Sequence, residues 1–177
     1  PNIVPLSKDH HFGLLHVWKI RQGLKKDIAP ARIAQYVVFH WEHEQKAHFE
    51  EEEKYLFPYI TNKLIDQALE EHHLLRNLIA QITTQPTAAL LEEYATRLND
   101  HIRYEERVLF PYMEENLSEE QLTEIGKNLS AECVPLYQAQ GAGTKTAFSK
   151  SDFLSLDCKL HRGRHLRSPV SFIHHSR

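Results

Sequence analysis

Two stretches of this chain repeat each other. HFEEEEKYLFPYI begins at His48 and HIRYEERVLFPYM begins at His101, and they align without a gap. They share the histidine, the glutamates four and five places beyond it, and then Leu-Phe-Pro-Tyr. A second pair of phrases accompanies them: DHHFGLLHVWKI from Asp9 aligns with EHHLLRNLIAQI from Glu71. A chain that states two helical phrases twice, in the same order, reads as two copies of one helical hairpin. Two such hairpins packed together would form a pseudo-twofold bundle, with equivalent residues meeting near its axis.

Apolar periodicity and helix punctuation extend this reading. The first helix is expected from about Ser7 to Lys26, with Ser7 as its N-cap. The second starts near Pro30, a good first-turn residue, and runs to about Lys63. The third runs from about Asp66 to Thr83 and stops before TTQPT; the fourth runs from about Thr87 to Asn116. A shorter helix, SEEQLTEIGKNLSAE, follows, with Ser118 as its cap. Strand signals are nearly absent and the breaks are short, which favours antiparallel neighbours. The expected fold is all-α, an up-down-up-down antiparallel four-helix bundle over residues 1–132 with a short fifth helix. Residues 133–177 are Gly/Ser-rich and without sustained period. They read as an irregular basic tail, disordered or artefactual.

Charge separates the same two regions. Residues 1–132 hold 22 acidic and 14 basic residues, whereas 133–177 hold 2 acidic and 7 basic. An acidic main body argues against nucleic-acid binding, which needs a basic surface to neutralise phosphates. No apolar run is long enough to span a membrane. The N-terminal residues show no basic region followed by an apolar stretch, so no signal peptide is expected. The two cysteines, Cys133 and Cys158, form no CxxC pair and no disulfide framework, which favours a reducing, cytoplasmic setting. No GxSxG or P-loop supports hydrolytic chemistry.

Histidine is the unusual component: nine of 13 lie in residues 1–132, several at matched offsets. Residues four apart share a helix face. His48 with Glu52, and His101 with Glu105, therefore each offer an imidazole and a carboxylate on one face. Delivered twice, this makes half of a two-metal site from each hairpin. Carboxylates can bridge two cations, and imidazoles suit iron, zinc, copper or nickel. On the third helix the row from His72 runs through Leu75, Ile79 and Ile82, so His72 is expected inward and His73 outward. On the first helix His10 is preferred because the repeat aligns it with His72, and His11 is the rival; Gly13 is expected to leave room near the site.

Trp41, His48, Glu52, Tyr55 and Tyr59 are expected on one face. Tyr94, Leu98, His101, Glu105, Val108 and Tyr112 are expected on the other, so that apolar groups bracket the polar ones. Glu53 and Glu106 sit about 100° off that face and read as supporting or solvated groups. His16, His40 and His43 read as surface or packing residues. Pro58 and Pro111 lack an N–H, so each should bend or finish its helix just beyond the site. Four histidines and two glutamates buried without a cation would be costly.

The pattern H…HxxxE…H…HxxxE, with EEEEKYLFP, YEERVLFP and EHHLLR, resembles the hemerythrin-like HHE cation-binding domain over roughly residues 5–132. The resemblance implies a four-helix bundle holding a non-haem di-iron centre. Carried over residue by residue, it implies the metal ligands His10, His48, Glu52, His72, His101 and Glu105, with Glu52 and Glu105 bridging. The implied cofactor is two iron ions, with zinc or manganese as substitutes. The oxygen-carrying members have a second histidine one turn beyond the third-helix ligand, where this chain has Arg76. Its four His and two Glu correspond instead to the iron-sulfur-repair and iron-sensing members. The implied function is a non-enzymatic protein that binds or responds to O2, NO or peroxide. The alternative is an iron storage, sensing or donor module acting through a protein partner.

Overall fold

In the computed structural model the described residues are 3–132, within the first of two units, Pro1–Val134. The expectation of an irregular tail over 133–177 lies outside them. The described residues are helical apart from short connections, with no strand among them. They form four long rods and a shorter fifth helix. The first rod is α1, Val4–Lys25. The second comprises α2, Pro30–His40, a π turn at Trp41–Gln45, α3, Lys46–Glu51, a second π turn at Glu52–Leu56 and a 3-10 turn at Phe57–Tyr59. The third is α4, Lys63–Thr84. The fourth comprises α5, Ala88–Tyr104, a π turn at Glu105–Leu109 and α6, Phe110–Asn116. The last helix is α7, Glu119–Glu132. No helix among the described residues is long and apolar enough to cross a membrane.

Three helix starts, those of α4, α5 and α7, carry side-chain caps. Asn62 and Thr87 accept bonds from the backbone N–H groups of Leu64 and Leu90, each at 3.2 Å. Ser118 and Gln121 cap each other reciprocally, hydroxyl to N–H at 3.3 Å and amide oxygen to N–H at 2.9 Å, which is a capping box. Ser7 is not a cap. Helix α1 begins at Val4, and Ser7 lies inside it. The second rod ends at Tyr59 rather than at Lys63, because Lys63 is the first residue of α4 under the Asn62 cap. That helix thus starts three residues before the expected Asp66. Between α1 and α2 the chain turns at Asp27, whose φ of 54° is left-handed, a region that aspartate enters at lower cost than most residues.

The two prolines behave differently. Pro58 sits in the 3-10 turn that finishes its rod. Pro111, expected to act alike, is followed by a further turn and a half of helix, to Asn116. The preceding π turn does not distinguish them: the Phe57 N–H reaches back to the Glu52 carbonyl just as the Phe110 N–H reaches back to the Glu105 carbonyl, five residues earlier in each case.

α1 packs chiefly on α5, α5 on α4, and α2 on α4. Gly13 lets α1 approach α5. A Cβ there would fall 2.7 Å from Cδ1 of Ile102, so the space expected to be room near the site is filled by that side chain. Two apolar clusters result. One contains Val17, Val37, Phe49, Leu75 and Leu98, and the other contains Leu6, Leu56, Ala68, Leu109 and Met113. α7 adds Ile125 and Leu129 to the second. On every rod a short polar layer falls between residues of one cluster and residues of the other.

His16 and His40 belong to the first cluster's interior rather than to the surface. Their rings stack at 3.7 Å and 13°, between Tyr36 and Tyr94, and His40 Nε2 lies 3.1 Å from Glu44. Burial, reinforced by the charges of His40 and Lys19, holds the His16 pKa well below its ordinary value. His43 is exposed, and its Nδ1 donates to the Phe39 carbonyl over 2.8 Å.

Candidate metal centre

The polar layer contains His10, His48, Glu52, His72, His101 and Glu105, all buried, with both glutamates at 0% exposure. His11 and His73, their immediate neighbours, are exposed. The structure therefore brings together all six residues singled out in the sequence. They form two overlapping groups: His10, His48, Glu52 and Glu105, and Glu52, His72, His101 and Glu105. Within each group the candidate ligand atoms lie within 4.8 Å of one another, close enough to surround a metal ion. The glutamates are common to both. Glu52 Oε1 lies 3.3 Å from His48 Nε2, and its Oε2 lies 3.3 Å from His72 Nε2. Glu105 Oε2 lies 3.0 Å from His10 Nε2 and 3.3 Å from His101 Nε2. Each carboxylate thus touches a ring from each hairpin.

The local backbone aims these groups. The i,i+4 spacing puts each His-Glu pair on one face. Each glutamate is also the first residue of a π turn, a feature that recurs at functional sites. The extra residue in that turn rotates the side chains just beyond it. The expected faces continued through Tyr55 and Val108, three residues beyond the glutamates. Instead Leu56 and Leu109, four residues beyond, are fully buried, while Val108 is 42% exposed and Tyr55, Tyr59 and Tyr112 are half-buried. Trp41, Tyr94 and Leu98, on the other side of the layer, are buried as expected.

Behind each histidine stands an acid. Glu53 Oε1 lies 2.7 Å from His72 Nδ1, Glu106 Oε1 2.7 Å from His10 Nδ1, and Glu71 Oε2 2.8 Å from His101 Nδ1. Asp9 Oδ2 is 3.5 Å from His48 Nδ1, an electrostatic contact. An ionised carboxylate only accepts, so in the neutral ring it places the proton on Nδ1 and leaves the Nε2 lone pair facing the layer. Glu53 and Glu106, left open by sequence reasoning between supporting and solvated, are therefore supporting groups. Asp9 and Glu71 were missed. The available signal was that an acid precedes both His-His phrases.

The carboxylates make the layer attract positive charge. Burial opposes protonation of His10, but the nearby carboxylates of Glu105, Glu106 and Glu52 outweigh it and push its pKa up to about 12. Burial likewise opposes protonation of His48, and the Glu52 charge with the Asp9 and Glu52 contacts raises it to about 9. His72 is raised against its burial by Glu52 and Glu53. Glu52 lies well below the usual carboxylate range, because the His48 charge and the proximity of the His10, His48 and His72 rings overcome its own burial. The bond from His72, then Arg76, against partial burial, holds Glu53 at about 2. A field that retains protons on buried imidazoles also favours a bound cation.

An all-helical fold enclosing two overlapping His-carboxylate clusters defines a helical cation-binding protein. The chain belongs to the hemerythrin family: the hemerythrin HHE cation binding domain matches residues 9–113. No curated protein and no solved structure matches the chain.

The residues fit the metal that this family implies. The four oxygens of Glu52 and Glu105, with Nε2 of His10 and of His48, are buried and have no hydrogen-bond partner. Groups of this kind are normally paired, and leaving them unpaired costs about 1–3 kcal/mol each, more when charged. Cation coordination would satisfy them together.

Proposed function

We propose that the polar layer holds a non-haem di-iron centre that binds or responds to O2, NO or peroxide. The ligands in this reading are His10 and His48 on one iron, His72 and His101 on the other, with Glu52 and Glu105 shared. The observation that carries it is the pair of fully buried glutamates, each with both oxygens unpartnered and each contacting rings of both hairpins. Shared hard carboxylates with borderline imidazoles suit iron, and carboxylate-bridged di-iron sites are an established use of helical bundles. The up-down-up-down order is part of the same reading and is supported by the short connections of 26–29, 60–62 and 85–87.

When bound, iron with two histidines and shared carboxylates supplies open coordination positions and redox chemistry. The protein's own contribution is positional. The Nδ1 partners hold the rings, and the apolar clusters on either side exclude water from the layer. The reading is of a binding protein with no catalytic side chain of its own, placed in the cytoplasm.

Anaerobic loading with Fe(II) should give two irons per chain by elemental analysis. Exposure to O2 should then produce a visible charge-transfer band, and NO a nitrosyl signal. Two bound metals with neither response would leave a storage, sensing or donor module as the function. Replacing both glutamates, Glu52→Gln with Glu105→Gln, should abolish binding of the pair, and retention of two metals would refute the ligand set.

A further inference from the structure

The repeat leads one to expect two equivalent halves, and the supporting acids differ between them. Glu106, behind His10, takes its other side-chain bond from the neutral hydroxyl of Ser7, and Arg103 acts on it only through space. Glu71, behind His101, takes its other bond from the neutral amide of Gln67 at 2.9 Å. Glu53, behind His72, is the one of the four that is ion-paired to arginine or lysine among the described residues. Its Oε1 accepts from His72 Nδ1 at 2.7 Å and from Arg76 Nη1 at 2.8 Å. Four residues beyond the aligned histidines, Arg76 corresponds to the apolar Leu14.

We propose that Arg76 makes the two halves of the centre unequal, so that the cation held by His72 and His101 binds more weakly than the cation held by His10 and His48. This rests on the two-cation reading above. Two physical effects act in the same direction. The shared Glu53 oxygen is partly neutralised by the guanidinium, polarises His72 less, and leaves Nε2 a poorer donor to a metal. The guanidinium is also a permanent positive charge on that side of the layer, and it repels a cation. It lies 5.7 Å from the Phe49 ring, which stacks on His72 at 3.8 Å and 10°. His10, the counterpart, stacks on Phe110 at 5.3 Å and 10°. Arg76 is therefore a positioning and charge-setting residue. Its consequence is a centre that loads and releases its two cations in order, with the His72/His101 half exchanging first.

The test uses cobalt(II) as the probe and the full chain. Wild type should take up two cobalt ions; fewer than two would overturn the two-cation reading itself. His72→Ala leaves the His10/His48 half, and His10→Ala leaves the His72/His101 half. These substitutions fall at matched positions of the repeat. Measuring each half alone also removes repulsion between the two cations. Cobalt should bind the His72→Ala chain about tenfold more tightly than the His10→Ala chain, the lower end for supporting-group effects. Adding Arg76→Gln should tighten binding in the His10→Ala chain and leave the His72→Ala chain unchanged. Adding Arg76→Lys instead, which keeps the charge, should give no such tightening. Loosened packing weakens binding, so a gain in affinity isolates the charge. Equal affinities of the two halves, or an Arg76→Gln effect that is absent or equal in both, would overturn the inference.

Discussion

Each histidine of the layer faces a carboxylate at both nitrogens, and the two contacts have different consequences. Nε2 meets the central glutamates, and Nδ1 meets an acid from another rod. Removing an outer acid should leave the fold intact and weaken the ring as a donor. Glu71→Gln is expected to lower cobalt affinity by about 10–100-fold, with an unchanged circular dichroism spectrum. Affinity equal to wild type would show that the contact at His101 Nδ1 is dispensable.

His16 makes a separate, pH-dependent prediction. Its folded pKa lies well below the ordinary 6.5, so the unfolded chain takes up a proton that the buried ring refuses. This group's contribution to stability is full above about 6.5 and declines as the pH falls toward the folded value. His16→Phe keeps an aromatic ring on His40 and removes the titration. Between about pH 7.5 and about pH 5, the denaturation midpoint of the variant should fall less than that of wild type. A steeper fall in the variant would contradict the assignment.

At the scale of elements, helix contact and helix registration set the site's shape. Gly13 lies where α1 meets Ile102, the neighbour of His101. In a helix, alanine is favoured over glycine by about 1 kcal/mol, while overpacking costs about 1–3 kcal/mol. Gly13→Ala alone should therefore be neutral to destabilising. With Ile102→Val, which removes the obstructing Cδ1, the same Gly13→Ala change should become stabilising. A denaturation double-mutant cycle measures this coupling, and additivity would show that the contact relaxes freely.

The π turns explain why helical periodicity identified His48, Glu52, His101 and Glu105 and then failed just beyond them. A continuous α-helix would place Tyr55 and Val108 toward the bundle. One extra residue per turn transfers that role to Leu56 and Leu109. The Leu-Phe-Pro-Tyr phrase is common to both turns, but no residue within it marks the shift by itself.

For the whole molecule, all four rods supply groups to one layer, so cation binding and folding are coupled. Chelation should lower Tm, and cobalt should restore it in proportion to its free concentration. The raised pKa values of His10 and His48, about 12 and about 9, mean that a cation displaces protons at neutral pH. Binding should therefore release protons and weaken as pH falls, which calorimetry in buffers of different ionisation enthalpy detects. A buffer-independent heat would show that no protons are released.

The sequence alone determined the helical class, the doubling of a helical phrase and five of the six central residues. These come from short-range rules: i,i+4 spacing, capping, and the repeat's own alignment. On helix 1 it left His10 and His11 as rivals, and only packing turned His10 inward and left His11 outside. The outer acids and Arg76 were likewise decided by tertiary structure. His10 meets Glu106, His72 meets Glu53 and His101 meets Glu71 across 96, 19 and 30 positions of sequence. Such pairings depend on how each rod is rotated and shifted against its neighbours, and a π turn alters that rotation by one residue.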